Sequence, residues 1–308
     1  MDMKVFWEKV YKTAAFYQAK ALAGLRGLRF DLAVPQLGPP VFVVGCSRAG
    51  TTLVYKTLSE AAALGSLQKE THDFWAGLHP PAERGWDSHA IPPEAACAGD
   101  CRQVASLFYT RTGKRRFVDK NNQNGLSIPY LQRLFPDAFF VYVKRNPGDN
   151  IHSLMEGWRR AETFATWSRD LPAEVRIDGG RFRRWCFFLP PGWRNYLEAP
   201  LEEVCAFQYR EMNAAILAAR DQVAPERWCE IAYESILENP VEAFAEVFRR
   251  CQVPFDRHLE DHCRSVLQKP YNAFSRVGLD KWKGGANRDR IERVLPQVQE
   301  VAERMGYS

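Results

Sequence analysis

Several features are missing from this 308-residue chain, and each absence excludes a class of protein. No apolar run approaches the roughly 18 residues of a membrane span, and the first residues lack the layout of a signal peptide, so we expect none. The eight cysteines form no C-x-x-C pair and no His/Cys metal spacing. We therefore expect reduced thiols and a cytoplasmic protein. The basic residues form no tract, so we expect no nucleic-acid partner.

The composition is that of an ordinary globular protein with a modest positive charge. Hydrophobic residues make up 46% of the chain and charged residues 26%, which is enough to build a sizeable core. The formal net charge of +5 suits a small, highly charged anion. Because no clean linker or repeat interrupts the sequence, we expect one main domain over residues 36–308. An N-terminal amphipathic helical extension is expected over residues 1–35.

This extension has two interpretations. Residues 4–29 have an amphipathic pattern in which Lys and Arg are offset only by Glu8. Such a helix can make a weak contact with a membrane surface, or it can pack its apolar residues on the domain. We favour packing on the domain. That interpretation predicts burial of five side chains, Phe6, Trp7, Val10, Phe16 and Tyr17.

Short apolar segments alternate with helical periodicity along the rest of the chain. Strands are predicted at 41–44, 117–119, 138–143 and 228–233. Helices are predicted at 51–64, 129–135, 148–160, 201–221, 241–251 and 288–305, and prolines mark a long irregular insertion over 80–93. This alternation predicts an α/β fold of the phosphate-binding-loop (P-loop) type, with a central, mainly parallel sheet flanked by helices on both faces.

The first strand runs into a glycine-bounded loop and then into two threonines that open a helix. The first turn of a helix leaves backbone N–H groups unpaired and carries partial positive charge, so this junction predicts an anion site. Nucleoside triphosphatases have G-x-x-x-x-G-K-[ST] here, with the Lys on the outer phosphates. In this chain Thr51 takes the Lys position and Arg48 supplies the cation within the loop. We infer a donor other than ATP-Mg²⁺ with no obligatory metal, bound by Arg48, Ala49, Gly50, Thr51 and Thr52.

Two further basic residues follow predicted strands. Lys120 and Arg145, like Arg48, fall at or just beyond strand carboxyl ends, which meet at one edge of a parallel sheet and hold ligands there. Ser153 comes eight residues after Arg145 in the following helix. A guanidinium and a hydroxyl so placed can grip one phosphate from two sides.

Together, R48-A-G-T-T52 and R145-N-P-x-D-x-x-x-S153 resemble the two donor-binding elements of the sulfotransferase family. This family uses 3′-phosphoadenosine-5′-phosphosulfate (PAPS) as sulfuryl donor and releases 3′-phosphoadenosine-5′-phosphate (PAP). The resemblance implies that Arg145 and Ser153 hold the 3′-phosphate that distinguishes PAPS from ATP.

Other segments are similar to the tyrosylprotein and related bacterial branch of that family. The pair Glu70-Thr71 resembles the branch's general-base motif, one residue later than the expected spacing, and F-V-D-K120 resembles its catalytic lysine segment. The resemblance implies Tyr233 as a nucleotide contact. It also implies donor contacts in a C-terminal loop at Ser275, Arg276 and Lys281.

The chain departs from the cytosolic branch in two places. Leu53 stands where that branch stacks a Trp on adenine, and Asn121 and Asn122 follow Lys120 where it has a His. We therefore expect Glu70 to be the base, with His72 as its rival. Arg48 and Lys120 would neutralise the transferred group during in-line displacement.

The acceptor is expected to be a hydroxyl on a small molecule, carbohydrate or lipid-linked compound. Aromatic segments 74–86 and 164–196 are placed to wall its pocket or to pack in the core. Two other functions are open alternatives. One is a P-loop nucleotide kinase or triphosphatase-like protein that uses ATP, and the other is a non-catalytic nucleotide-binding protein.

Overall fold

The computed structural model describes residues 3–268 and 278–308. Four strands form one sheet: β1 (Val41–Val44), β2 (Val118–Lys120), β3 (Phe139–Lys144) and β4 (Trp228–Ala232). Their order is β2-β1-β3-β4 and every neighbouring pair is parallel. The predicted α/β class and the four strand positions are confirmed, with boundaries within about two residues.

The strands are mostly apolar because parallel strands are covered on both faces, where apolar and β-branched side chains are favoured. Phe42 and Phe140 point into one core, whereas Val41 and Val43 point into the other, which is the alternation of a β-strand. Helices cover both faces, as predicted. One core includes Leu154 of a covering helix.

The helices, in chain order, have the following bounds. They are α1 (Met3–Leu32), α2 (Thr51–Ser59), α3 (His72–Leu78), α4 (Ala98–Thr112), α5 (Ile128–Leu134), α6 (Pro147–Trp158), α7 (Ala161–Phe164), α8 (Ile177–Gly180), α9 (Leu201–Arg220), α10 (Tyr233–Glu238), α11 (Pro240–Arg250), α12 (Arg257–Ser265), α13 (Arg288–Val294) and α14 (Gln299–Arg304). Short 3₁₀ turns join several of them.

Several helices differ from the predictions. The helix predicted over 51–64 ends at Ser59, and the short helices α3, α7, α8, α10 and α12 were not predicted. The helix predicted over 288–305 is divided into α13 and α14 by a 3₁₀ turn at Leu295–Val298, because Pro296 lacks the N–H that a continuous helix needs. Helix α4 was not predicted. Its buried positions include Val104 and Phe108, but Gly99 and many polar residues weaken the periodic signal.

Among its described side chains, the N-terminal helix packs on the domain through its last turns. The side chain of Phe6, whose burial was also predicted, lies outside the described ones. Phe30 is buried and its ring lies 6.0 Å from that of Tyr109 in α4. By contrast, 62% of Trp7 and 62% of Tyr17 are exposed, and Val10 and Phe16 are also exposed. The predicted burial of these four side chains is wrong, because α4 supports only the carboxyl-terminal part of α1.

Two further observations concern the whole described chain. Among the described residues no helix is both long enough and apolar enough to cross a membrane. All eight cysteines are free thiols.

The strand order places a crevice at the carboxyl edge of the sheet. The chain leaves β1 to reach β2 on one side and β3 on the other, so the connections diverge between β1 and β3. Ligands of open α/β sheets bind at such a divergence.

Candidate active site

The loop after β1 has a backbone that depends on glycine. Gly45 has a φ of 154°, and a Cβ there would lie 2.5 Å from the carbonyl oxygen of Val143. Gly50 caps α2 in the left-handed region, with a φ of 105° and no side-chain cap. The first N–H groups of α2 consequently keep their capacity to bind an anion.

Arg48 stands at the apex of this loop with a left-handed φ of 69°. Its Nε donates to the hydroxyl oxygen of Ser153 in α6 at 3.4 Å, a contact that the sequence did not predict, since Ser153 was paired there with Arg145. Burial, followed by the repulsion of Arg145, lowers the pKa of Arg48 to about 10. Because its charged form is destabilised, the Arg48 guanidinium would be stabilised by a bound anion.

Arg145 follows β3 and faces the loop. Its NH1 donates to the carbonyl oxygen of Arg48 at 2.9 Å, and its guanidinium lies 4.4 Å above the ring of Tyr233. Arg145 is 8% exposed, and its buried Nε has no hydrogen-bond partner among the described residues. Unsatisfied buried donors are rare, so this atom fits a phosphate ligand.

Tyr233 begins α10 directly behind the loop. A Cβ at Gly50 would lie only 2.5 Å from Cδ2 of Tyr233, so the ring and the loop backbone are in close contact. The sequence-predicted residues from β1, β3 and β4 therefore meet around the amino terminus of α2.

The carboxyl-terminal segment joins the same region through α6. The Asp149 carboxylate accepts hydrogen bonds from the backbone N–H groups of Asp280 at 2.8 Å and Lys281 at 3.1 Å. Trp282 packs on Gly148, where a Cβ would meet the indole at 2.4 Å. Burial and then the charge of Arg145 lower the pKa of Lys281. The Lys281 ammonium therefore lies within electrostatic range of Arg145. Asp149, inside the second motif, thus positions the carboxyl-terminal segment, a role that sequence reasoning missed.

Two predicted donor contacts cannot be located. Ser275 and Arg276 lie outside the described residues.

Lys120 and Glu70 form an ion pair at the end of β2. Lys120 Nζ donates to Glu70 Oε1 at 2.6 Å, and their side chains are 6% and 30% exposed. Burial alone would raise the pKa of Glu70, but the charge and hydrogen bond of Lys120 outweigh it and the pKa is lowered. Glu70 is consequently ionised at neutral pH and able to accept a proton.

Asp119, beside Lys120, organises the segment that carries Glu70. Its fully buried carboxylate accepts hydrogen bonds from Thr71 Oγ1 at 2.7 Å, Trp75 Nε1 at 2.8 Å and Asn124 Nδ2 at 3.3 Å. Burial raises its pKa despite these donors. Sequence reasoning assigns no role to Asp119, although a carboxylate within a buried strand is itself a signal that polar partners converge there.

The other polar residues near this pair have structural partners. His72 is directed at Asp73, with Nε2 3.3 Å from Oδ1. Asn121 donates to Asn124, and Asn122 donates to the carbonyl oxygen of Phe187 at 3.0 Å.

The aromatic segments belong mainly to the core. Trp75, Trp185 and Trp193 are fully buried, so they do not line an open pocket. Phe164 is the exception that matters for the site, because the Arg48 guanidinium lies 5.6 Å from its ring centroid.

This geometry supplies an anion cradle, a buried cation and a carboxylate at one sheet edge. The described residues contain no group of three or more His, Cys, Asp or Glu that could hold a metal ion. Residues 39–187, which hold the β1 loop, Glu70, Lys120, Arg145 and Ser153, match the model of the sulfotransferase family.

This part of the chain, slightly less than half of it, is therefore similar to the sulfotransferase family.

Solved structures of sulfotransferases share the fold of this chain. Sulfotransferase STF9 from Mycobacterium avium is 15% identical with a TM-score of 0.53, and the match covers 92% of this chain and 81% of that one. A sulfotransferase from Alicyclobacillus acidocaldarius is 17% identical with a TM-score of 0.50, covering 88% and 97%. A comparison with curated proteins finds no match. At these identities the likeness shows the shared fold.

Proposed function

We propose that this protein transfers the sulfuryl group of PAPS to an acceptor hydroxyl and releases PAP. The observation that carries the proposal is the meeting of Arg48, Arg145 and Ser153 at the amino terminus of α2, where the buried Nε of Arg145 has no partner within the described part of the chain. A phosphate is the group that satisfies a guanidinium, a hydroxyl and free helix N–H groups together.

Different residues bind the two phosphate groups of the donor. Ala49, Gly50, Thr51 and Thr52 bind the 5′-phosphosulfate with amides and hydroxyls, because they form the first turn of α2 and its approach. Arg145, stacked on Tyr233, holds the 3′-phosphate with Ser153. Lys281 adds charge from the carboxyl-terminal segment, and Ser275 and Arg276 stay proposed contacts from their sequence positions.

The transfer itself is an in-line displacement. A lone pair of the acceptor oxygen attacks sulfur, the bond from sulfur to the bridging oxygen breaks, and its electron pair stays on the 5′-phosphate of PAP. Glu70 takes the acceptor proton through Oε2, since Oε1 already accepts from Lys120. Lys120 and Arg48 stabilise the charge that develops on the transferred group and the bridging oxygen.

We also propose how the chain is divided into a domain and an extension, and which class of acceptor it uses. Residues 36–308 form the PAPS-binding domain and residues 1–35 an extension from it. Phe164, beside Arg48, forms part of the wall next to the reacting group. The acceptor is a hydroxyl of a small molecule, a carbohydrate or a lipid-linked compound.

An ATP-dependent kinase or triphosphatase is the weaker candidate. Thr51, at the position of the lysine that reaches ATP's outer phosphates, is 4% exposed. Asp119, the carboxylate on the neighbouring strand, is occupied by three donors and is not placed to hold Mg²⁺.

Transfer of labelled sulfuryl from PAPS into an extract of the host tests the proposal. We expect label in one class of hydroxyl compound with the wild-type enzyme and none with Glu70→Gln. Labelling that is equal for both proteins would reject Glu70 as the base. Wild-type protein that is not stabilised against heat by PAP, but is stabilised by ATP-Mg²⁺, would reject the donor.

A further inference from the structure

The exposed side of α1 carries an apolar stripe along its whole length. Its residues are seven, eight, three and four positions apart in turn, and at about 3.6 residues per turn these spacings place them on one helix face. All of the following are at least 40% exposed: Val10, Tyr17, Leu25, Leu28 and Leu32.

This stripe lies on the side of α1 opposite to the packed face. Arg26, Gly27 and Phe30 face α4, where Arg26 donates to the carbonyl oxygen of Arg111 and Phe30 is buried. On the helical wheel those positions lie on the opposite side from the stripe positions. The stripe is therefore not needed to hold α1 on the domain.

The positive charge of α1 indicates the kind of surface that covers the stripe. Apart from Arg26, the helix carries Lys4, Lys9, Lys12, Lys20 and Arg29 against the single acid Glu8 before residue 30. A basic helix with Tyr and Leu on one face matches the interface of a membrane with anionic headgroups.

The start of the domain continues this apolar surface. Val34, two residues beyond α1, lines a cavity of about 730 Å³ with Leu37, Ala98 and Phe135, and Arg102 and Arg133 also line it. Apolar walls with basic side chains among them fit the same class of partner, a lipid with an acyl chain and an anionic headgroup.

We propose that α1 lies in the surface of an anionic lipid bilayer through this stripe and anchors the enzyme there. The helix lies in the interface and does not cross it, in keeping with the absence of a spanning helix among the described residues. Anchoring brings the active site to hydroxyl acceptors held in the lipid layer, a consequence that rests on the proposed function.

Vesicle co-sedimentation tests this docking without any donor or acceptor. We expect the full chain to bind phosphatidylcholine vesicles that contain phosphatidylglycerol and to bind pure phosphatidylcholine at least about tenfold more weakly. Salt should weaken the binding.

A matched pair of variants separates the stripe from general hydrophobicity. Phe16 and Tyr17 are 63% and 62% exposed, but only Tyr17 lies on the stripe. Tyr17→Ser and Leu25→Ser should each lower binding several-fold, about a factor of ten together, whereas Phe16→Ser should leave it unchanged. Replacing Lys9 and Lys12 by Glu should remove the preference for phosphatidylglycerol.

Three results would overturn the proposal. They are no binding by the wild-type chain, an equal loss with Phe16→Ser, and sedimentation velocity showing that Tyr17→Ser converts a dimer into a monomer, since a second copy would then cover the stripe. Unchanged stabilisation of every variant by PAP shows that the donor site is intact, so the two proposals fail separately.

Discussion

Lys120 and Glu70 are joined by a 2.6 Å hydrogen bond although 50 residues separate them in the sequence. The pair places a cation and a proton acceptor side by side at the carboxyl end of β2. In the proposed mechanism, this arrangement lets one place stabilise the charge on the reacting group and accept the proton of the acceptor.

Replacing Glu70 by Gln should lower kcat by roughly 10²- to 10⁴-fold, because Gln cannot take the acceptor proton. Calorimetric affinity for PAP should stay nearly unchanged. Glu230→Gln is the matched control, since Glu230 accepts a hydrogen bond from the strand-end Lys144 at 3.0 Å outside the proposed site. Equal losses of kcat in both variants would point to a structural effect, and a retained kcat in Glu70→Gln would favour His72.

The acid limb of the pH–rate profile should report the protonation of the Glu70 carboxylate. Its pKa lies below the usual range, chiefly because Lys120 outweighs the effect of burial. The rate should therefore fall only at pH values below the ordinary range of a glutamate. In Lys120→Met the opposing effect of burial remains, so the limb of the residual activity should move to higher pH. A limb that stays in place would mean that Glu70 is not the titrating group.

The same shift has a consequence for stability. A carboxylate with a lowered pKa in the folded state contributes stability above its unfolded pKa and loses it as the pH falls through its folded pKa. The difference in unfolding free energy between the wild type and Glu70→Gln should accordingly shrink on acidification. Urea denaturation at a series of pH values measures it, and a difference that grows towards low pH would contradict the direction of the shift.

Arg145→Ala should weaken PAP binding by about 10- to 150-fold, corresponding to the loss of one charge-assisted contact of about 1.5–3 kcal/mol. It should also erode the discrimination of PAPS from adenosine 5′-phosphosulfate, which lacks the 3′-phosphate. Arg210→Ala is the control, because Arg210 also lies against an aromatic ring, that of Phe207 at 5.7 Å. Discrimination that survives in Arg145→Ala would exclude Arg145 as the 3′-phosphate ligand.

Gly50→Ala should reduce PAP affinity, since the new Cβ would lie 2.5 Å from Tyr233 and displace the ring on which Arg145 stacks. Gly179→Ala separates this contact from backbone strain. Gly179 has a positive φ of 68°, yet nothing lies within 4 Å of a Cβ there. Titration calorimetry with PAP should show a loss only for Gly50→Ala, and matching behaviour of the two variants would reject the contact between Gly50 and Tyr233 as the cause.

Asp119→Asn should destabilise the fold by about 1–3 kcal/mol, because the amide keeps one accepting oxygen where the carboxylate uses two for Thr71, Trp75 and Asn124. Since Thr71 adjoins Glu70, kcat should also fall, with KM for PAPS nearly constant. Denaturant unfolding and steady-state kinetics measure the two effects. A change confined to KM would contradict a positioning role.

The sheet and the donor loop could be predicted because their signals are local. The strand at 41–44 and the glycines after it specify a junction within a dozen residues, and Arg145 with Ser153 lies within one strand–helix unit. The network of Asp119 with Thr71 and Trp75 could not be predicted, because it joins segments whose proximity is set only by tertiary packing. The same reason explains the error at α1. Its amphipathic pattern predicts an apolar face correctly but cannot tell which face meets α4.

The most direct test of the central claim is a calorimetric comparison of PAP and ATP on the wild-type chain. PAP should bind without added metal and at least about tenfold more tightly than ATP with Mg²⁺, a difference of about 1.4 kcal/mol. Tighter binding of ATP-Mg²⁺, or PAP binding that requires Mg²⁺, would contradict the account.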